Sequence, residues 1–263
     1  MNTPVLLDFD AETGIARITF NRPKVLNAAD VPLARSFLEA VRSLALRPGL
    51  RCVVLTGAGR AFMAGGDVAS FAGSPDHSRI GVNALLDALN PTILTLRDLD
   101  APILAAVRGV AAGAGLSLAL CADIVLADAE ARFMLAYDRI GAVPDCGGSW
   151  FLTRKAGAGR AAALMMLSKT LTAAEARDWG LVTEIAPEGG FDAALTETAR
   201  KLASGPGLAH AAFRRLADAA QGAPLATHLE AERAAFLRLA ASADFVEGTA
   251  AFLEKRPPRF TGS

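Results

Sequence analysis

The stretch APILAAVRGVAAGAGLSLALCADIVLA (residues 101–127) decides the fold of this chain. Within it, PILAAV predicts a strand, GAGLSLALCA predicts a helix and DIVLAD predicts a second strand. The 14 uncharged residues at 109–122 are fewer than the roughly 20 that a membrane span needs. We therefore predict a buried helix between two strands of an α/β core.

The same alternation continues on both sides of this stretch. Upstream it predicts a hairpin from VLLDFD and ARITFN joined by AETG, a helix over residues 31–46, a buried strand over residues 52–57 and a helix over residues 82–99 that contains Pro91. From Phe191 onward the pattern is almost all helical. We predict an α/β core over residues 1–195 and a C-terminal helical oligomerisation module over residues 196–263.

Composition narrows the classes of function. The 263 residues carry 27 basic and 27 acidic side chains, so the formal net charge of zero gives no support for nucleic-acid binding. The cysteines Cys52, Cys121 and Cys146 are odd in number and form no C-x-x-C pair, which disfavours disulfides and a zinc site. The N-terminus has no basic stretch followed by an apolar one. We expect a cytoplasmic protein without a membrane partner.

Two glycine-rich segments each follow a predicted strand: GAGRAFMAGGDV (residues 57–68) and GVAAGAGLSLAL (residues 109–120). Neither matches G-x-G-x-x-G or the P-loop pattern, which disfavours those kinds of nucleotide binding. Small residues at a strand end and a helix start leave backbone N–H groups exposed, and two such segments can form an oxyanion hole. The alternative is that the glycines only permit tight turns and close helix packing.

These segments belong to a longer series of motifs. ITFNRPKVLNA, LAYDRIGAVPDCGGSW, LTAAEARDWGLVTEI and EGTAAFLEKRPPRF stand with them in a fixed order over residues 15–260. With this series the chain resembles the crotonase (enoyl-CoA hydratase/isomerase) superfamily. The resemblance implies a spiral of ββα turns, a C-terminal helical region that builds trimers or hexamers, and an acyl-CoA thioester as substrate. It implies no metal, and no cofactor beyond the coenzyme A of the substrate.

The resemblance also implies site residues. Its oxyanion-hole N–H groups fall on Ala64 and Ala114. The contacts to coenzyme A fall on Lys24, Leu26, Ala28, Ala64, Gly66 and Asp67. From a neighbouring subunit, Lys255 or Arg256 would reach the phosphates of coenzyme A.

The two glutamates that hydratases of the family use are missing. Their positions hold Ser117 and Tyr137. Neither side chain is a credible general base near neutral pH, since tyrosine titrates near about 10. We therefore expect hydration to be slow or absent. Tyr137 is interpreted either as a core aromatic residue or as a wall of the acyl pocket.

Asp145 is the carboxylate in GAVPDCGGSW (residues 141–150). The phrase PDCGG is similar to that of double-bond isomerases of the phenylacetate-pathway type, where it carries an acidic residue. One carboxylate is enough for that chemistry, because it can take a proton from C2 and return it at C4 while an oxyanion hole holds the enolate. We predict an enoyl-CoA isomerase with Asp145 as the proton shuttle. The alternative is that Asp145 caps a helix that begins just after it.

Three other functions stay open. In an aryl-CoA dehalogenase-like enzyme, Asp145 would attack an aryl carbon, but the histidine that releases the ester is replaced by Asn90. The other two are a hydratase and a non-catalytic trimer that binds acyl-CoA. The orientation of Asp145, toward the two N–H donors or toward a helix N-terminus, discriminates between catalysis and a structural role.

Overall fold

The computed structural model describes residues 3–263 and contains two β-sheets. The strands are β1 (Val5–Asp10), β2 (Ile15–Phe20), β3 (Cys52–Gly57), β4 (Ile103–Val107), β5 (Val110–Ala112), β6 (Ile124–Ala127), β7 (Arg132–Met134), β8 (Leu171–Thr172) and β9 (Glu184–Ile185). The six-stranded sheet has the order β1-β2-β3-β4-β6-β9, and the three-stranded sheet has the order β5-β7-β8. Only the β1–β2 and β7–β8 pairs are antiparallel among these strands.

Ten α-helices surround the sheets in the described residues. They are α1 (Val31–Ala45), α2 (Pro75–Asp98), α3 (Ala114–Cys121), α4 (Gly148–Ala156), α5 (Ala158–Met166), α6 (Ala173–Asp178), α7 (Phe191–Ser204), α8 (Gly207–Ala220), α9 (Leu225–Ala240) and α10 (Ala243–Glu254). The predicted hairpin, the strands at 52–57 and within 101–127, and the C-terminal helices are confirmed. All eight residues of α3 are buried, as predicted. No helix within residues 3–263 is long and apolar enough to cross a membrane.

The central strands are buried on both faces, which explains their continuous apolar sequences. Successive side chains of a strand point to opposite faces. In β3, Val53 and Leu55 enter the larger core beneath α1, α2 and α3, whereas Cys52 and Val54 enter a smaller core. Helix α7 covers the smaller core with Phe191, Leu195, Ala199 and Ala203.

This packing corrects the predicted domain boundary. The boundary after residue 195 falls inside α7, whose buried face packs on the main sheet, so α7 belongs to the core. The next helix, α8, is also attached to the core through Arg214, which is 3% exposed. Its guanidinium donates to the Ala101 carbonyl at 3.1 Å and pairs with Asp123 at 2.7 Å.

Helix α2 is longer than predicted. It begins at Pro75, where the Ser74 side chain accepts a hydrogen bond from the His77 N–H, and it continues through Pro91 to Asp98. The sequence pattern starts only near residue 82 because the first turns of the helix are exposed and carry no apolar face.

Candidate active site

The two glycine-rich segments lie side by side beyond the ends of β3 and β4. Met63 and Ala111 form a parallel β-bridge. Two residues on, Gly65 faces Gly113: a Cβ built on Gly65 would lie 3.2 Å from the Ala112 carbonyl oxygen, and one built on Gly113 would lie 3.3 Å from the Gly65 Cα. Gly113 also has φ 53°, ψ −127°, a conformation that favours glycine. The glycines therefore let two backbones approach closely.

Ala114 offers a free backbone donor at this junction. It is the first residue of α3, and Gly113 before it has no side chain that caps the helix. The first N–H of the helix to find a helical acceptor is that of Ser117, which donates to the Gly113 oxygen at 3.1 Å. The N–H of Ala114 has no acceptor among residues 3–263 and stands at the positive end of the helix dipole.

Ala64 does not offer such a donor, which corrects the sequence-based assignment. Its N–H donates to the Leu26 carbonyl at 3.0 Å. In MAGGD the N–H groups of Gly65 and Gly66 have no backbone acceptor within residues 3–263, and the orientation of the Gly66 group is fixed by its neighbours. Its neighbours bond to Ala29, because the Ala29 N–H donates to the Gly65 oxygen at 2.7 Å and the Asp67 N–H donates to the Ala29 oxygen at 2.8 Å. The Gly66 N–H consequently points away from Ala29 and has no backbone acceptor within residues 3–263.

Gly66 also borders an apolar wall that the sequence alone did not indicate. A Cβ built on Gly66 would lie 3.3 Å from the ring of Phe71 and 4.0 Å from Leu85. Phe71 ends a short turn after Asp67, and Leu85 is a buried residue of α2. The absence of a side chain at Gly66 therefore lets these two apolar residues pack against its backbone.

The loop that carries Lys24, Leu26 and Ala28 is held by Asn27. This residue is fully buried and adopts a left-handed backbone conformation with φ 60°. Its Nδ2 donates to three carbonyl oxygens at 2.8–3.2 Å, those of Ala58, Ala61 and Phe62. Asn27 thereby fixes the loop to the chain that follows β3.

Arg22 is a second positioning residue that sequence reasoning missed. Its Nη2 lies 3.0 Å from Oδ2 of both Asp30 and Asp67, and its Nη1 donates to the Ala28 oxygen at 2.5 Å. Asp67, predicted to bind substrate, thus uses its side chain within the protein. Arg22 and Asn27 both stand in the motif NRPKVLNA (residues 21–28), but their partners lie up to 45 positions away.

The structure therefore brings most of the predicted contacts for coenzyme A together. Leu26, Ala28, Gly66 and Asp67 are joined by the bonds described above, and Lys24 is exposed beside them. Lys255 is exposed at the end of α10, and no hydrogen bond or ion pair within residues 3–263 links it to this loop. Its contribution from a neighbouring subunit stays a prediction.

Asp145 lies in the loop between the single turn Tyr137–Ile140 and helix α4. Its Oδ1 accepts a hydrogen bond from the Tyr137 hydroxyl at 2.5 Å. The N-cap of α4 is Gly147, and no side chain caps that helix. The capping alternative for Asp145 is therefore wrong, and the carboxylate is directed toward Tyr137.

Tyr137 connects Asp145 to the oxyanion segment. The tyrosine is 8% exposed, and a Cβ built on Gly113 would lie 4.0 Å from its ring. Its hydroxyl is 3.4 Å from Oγ of the fully buried Ser117. Burial and the Asp145 carboxylate raise the pKa of Tyr137, so the hydroxyl stays protonated and acts as the donor. The side chain of Tyr137 thus lies between Asp145 and Gly113, the residue that precedes Ala114.

Cys146 follows Asp145 with φ 52° and is 2% exposed. Burial and the adjacent carboxylate raise the pKa of its thiol, which keeps it neutral. Within residues 3–263, no group of three histidine, cysteine, aspartate or glutamate side chains is placed to hold a metal ion. The candidate site therefore consists of backbone N–H donors and one carboxylate, that of Asp145.

Comparison with known proteins places this arrangement in a family. The family model for enoyl-CoA hydratase/isomerase matches residues 10–263. The crystal structure of an enoyl-CoA hydratase from Polaromonas sp. JS666 superposes with a TM-score of 0.87 at 32% identity, covering 97% of this chain and 98% of that one. The chain belongs to the enoyl-CoA hydratase/isomerase family, and the predicted crotonase-like α/β fold is confirmed.

The relatives carry both names of the family. A "Probable enoyl-CoA hydratase" of Rhodobacter capsulatus is 39% identical over 97% of each chain. The 1,2-epoxyphenylacetyl-CoA isomerase of Escherichia coli is 37% identical over 95% of this chain and 96% of its own. These similarities support an enzyme of this family acting on an acyl-CoA thioester, and they leave the choice between hydration and isomerisation to the site itself.

Proposed function

We propose that the protein is an enoyl-CoA isomerase that shifts a C=C bond of an acyl-CoA thioester, with Asp145 as the proton shuttle. One observation carries this proposal: Asp145 is directed toward the oxyanion segment through Tyr137, while Ser117 and Tyr137 stand where the resemblance puts the two hydratase glutamates. The site then has one base, which suffices for a proton shift along one face of the substrate.

In the proposed reaction the thioester oxygen binds between the N–H groups of Ala114 and Gly66. Asp145 removes a proton from C2 of a 3-enoyl thioester, and the electron pair of that C–H bond moves into a dienolate whose negative charge rests on the thioester oxygen. Asp145 then returns the proton to C4, which leaves the double bond between C2 and C3. The oxidation state of the thioester as a whole does not change, so the reaction needs no cofactor beyond the substrate's own coenzyme A. Losing one oxyanion donor typically costs about 10²–10³ in rate.

The proposal includes assembly as a homotrimer or hexamer. The C-terminal helices α9 and α10 expose large apolar side chains, among them Phe236, Leu237, Phe252 and Leu253 at 62–83%. Such side chains support contact with other subunits. In this assembly Lys255 of one subunit would reach the coenzyme A bound to its neighbour.

The test is a direct assay of conjugation. Purified protein is mixed with 3-hexenoyl-CoA, and the conjugated thioester is followed by its ultraviolet absorbance. We expect the wild type to conjugate the substrate and Asp145→Asn to lose about 10²–10⁴ in kcat. Asp76→Asn is the matched control, since Asp76 is an exposed residue of the first turn of α2.

A parallel assay with 2-hexenoyl-CoA measures hydration. We expect little loss of the conjugated absorbance. Rapid hydration by the wild type, or conjugation that Asp145→Asn retains, would contradict the proposal. Binding of both thioesters without turnover would favour the aryl substrate or the binding-only role instead.

A further inference from the structure

The two oxygens of the Asp145 carboxylate have different surroundings. Oδ1 accepts the hydroxyl of Tyr137 at 2.5 Å, within the range of strong hydrogen bonds from O–H to a carboxylate. Oδ2 accepts no hydrogen bond from a nitrogen or oxygen donor within residues 3–263, although the thiol of Cys146 lies next to the carboxylate. The residue is half-buried. The carboxylate is therefore held by a hydroxyl group at Oδ1 and meets no N–H or O–H donor at Oδ2.

Both ends of this hydrogen bond are fixed. The Tyr137 side chain is buried, and its ring lies against Gly113. The backbone of Asp145 is held because its carbonyl accepts the Gly148 N–H at 2.8 Å and because Cys146 after it is left-handed and buried. The terminal torsion of an aspartate is otherwise broad, so the tyrosine supplies the restraint that the backbone cannot.

We propose that Tyr137 is a positioning residue that fixes Asp145 through Oδ1 and leaves Oδ2 as the oxygen that carries the proton between C2 and C4. The inference rests on the proposed function and deepens it. It also assigns a specificity role. A glutamate at position 137 would supply a second base, whereas the hydroxyl of Tyr137 donates its proton to Asp145, so the site retains a single base.

A spectroscopic test needs no substrate. Tyr137 is the only tyrosine of the chain, so tyrosine labelled with ¹³C at Cζ gives one NMR resonance that reports on this hydroxyl. We expect Asp145→Asn to shift this resonance and to move the hydroxyl proton upfield, because the charge-assisted hydrogen bond is lost. Ser117→Ala, which removes only the 3.4 Å neighbour, should shift it less. If the chemical shift of this resonance is the same in the wild type and in Asp145→Asn, the proposal is overturned.

The kinetic test uses Tyr137→Phe with 3-hexenoyl-CoA. Loss of a hydrogen bond to a charged group should lower kcat by about 10- to 100-fold, while KM changes by less than about threefold. Circular dichroism and thermal unfolding check that the variant is folded.

The two proposals fail in different ways. A wild type that does not conjugate any 3-enoyl-CoA overturns the isomerase and the proton-carrying role of Oδ2 with it. An active wild type whose folded Tyr137→Phe variant keeps its kcat overturns the positioning role alone. A third outcome combines two results: the Tyr137→Phe variant does not fold, and the ¹³C resonance shifts no more in Asp145→Asn than in Ser117→Ala. That outcome assigns Tyr137 to packing and also overturns the positioning role.

Discussion

Gly148 packs directly against Ser117: a Cβ built on Gly148 would lie 2.3 Å from the Oγ of Ser117. Ser117 is fully buried in α3, the helix that presents the N–H of Ala114, and Gly148 begins α4, the helix that follows Asp145. This contact therefore sets the distance between the segment that would stabilise the enolate and the segment that carries the base.

The contact predicts that Gly148→Ala destabilises the protein by about 1–3 kcal/mol, because a well-packed site has no room for the methyl group. In the Ser117→Ala background the nearest atoms to that methyl lie at 3.3 Å, so most of the loss should be recovered. Urea unfolding of both single variants and the double variant measures the coupling. Additive losses would show that the two residues do not compete for the same space.

Gly113→Ala should reduce activity beyond its effect on stability. The position combines a positive φ with a close approach to Gly65, so a methyl group there pushes the two donor segments apart. We expect a loss of about 10²-fold in kcat, as for a small misplacement of catalytic groups. Gly49→Ala is the matched control, since Gly49 also has a positive φ, of 75°, but nothing within 4 Å of a Cβ. Equal kcat in the two variants would contradict the assignment of the oxyanion hole.

Much of the fold could be predicted from the sequence because long segments with continuous or regularly spaced apolar residues determine it. The buried strand at Cys52–Gly57, the buried helix at Ala114–Cys121 and the four C-terminal helices all follow from such segments. The domain boundary could not be predicted, because the amphipathic pattern of α7 shows that one face is buried without showing what covers it.

The location of the site could be predicted from the sequence, but the individual groups that form it could not all be predicted. In MAGGD, the pairing with Leu26 and Ala29 decides which N–H groups stay free, so Ala64 and Gly66 cannot be distinguished by residue type alone. The partner of Asp145 was equally hidden, since Tyr137 precedes it by eight residues across an irregular turn. Geometry of this kind depends on tertiary pairing rather than on local propensity.

Arg22→Ala should weaken substrate binding more than it slows the chemistry. Arg22 joins Asp30, Asp67 and the Ala28 carbonyl, so its loss frees the loop predicted to contact coenzyme A. A loop that must be ordered on binding costs affinity, and we expect KM to rise by about tenfold with kcat little changed. Arg17→Ala is the control, because Arg17 is exposed on β2. An unchanged KM in Arg22→Ala would show that this loop does not contribute to substrate binding.

The buried thiols predict how stability depends on pH. Burial raises the pKa of Cys52 and of Cys121 from 9.0 to about 12 in the folded protein. Between these values the unfolded chain has lost protons that the native state keeps, so the free energy of unfolding falls as pH rises, by at most about 1.4 kcal/mol per pH unit for each thiol. Urea unfolding between pH 8 and about 11 should therefore show a shallower decline in the Cys52→Ala/Cys121→Ala double variant than in the wild type. The comparison of slopes separates the thiols from lysines and other groups that titrate in the same range, and it is insensitive to any constant loss from the shortened side chains. Parallel declines in the two proteins would mean that the native state does not hold these thiols in their neutral form.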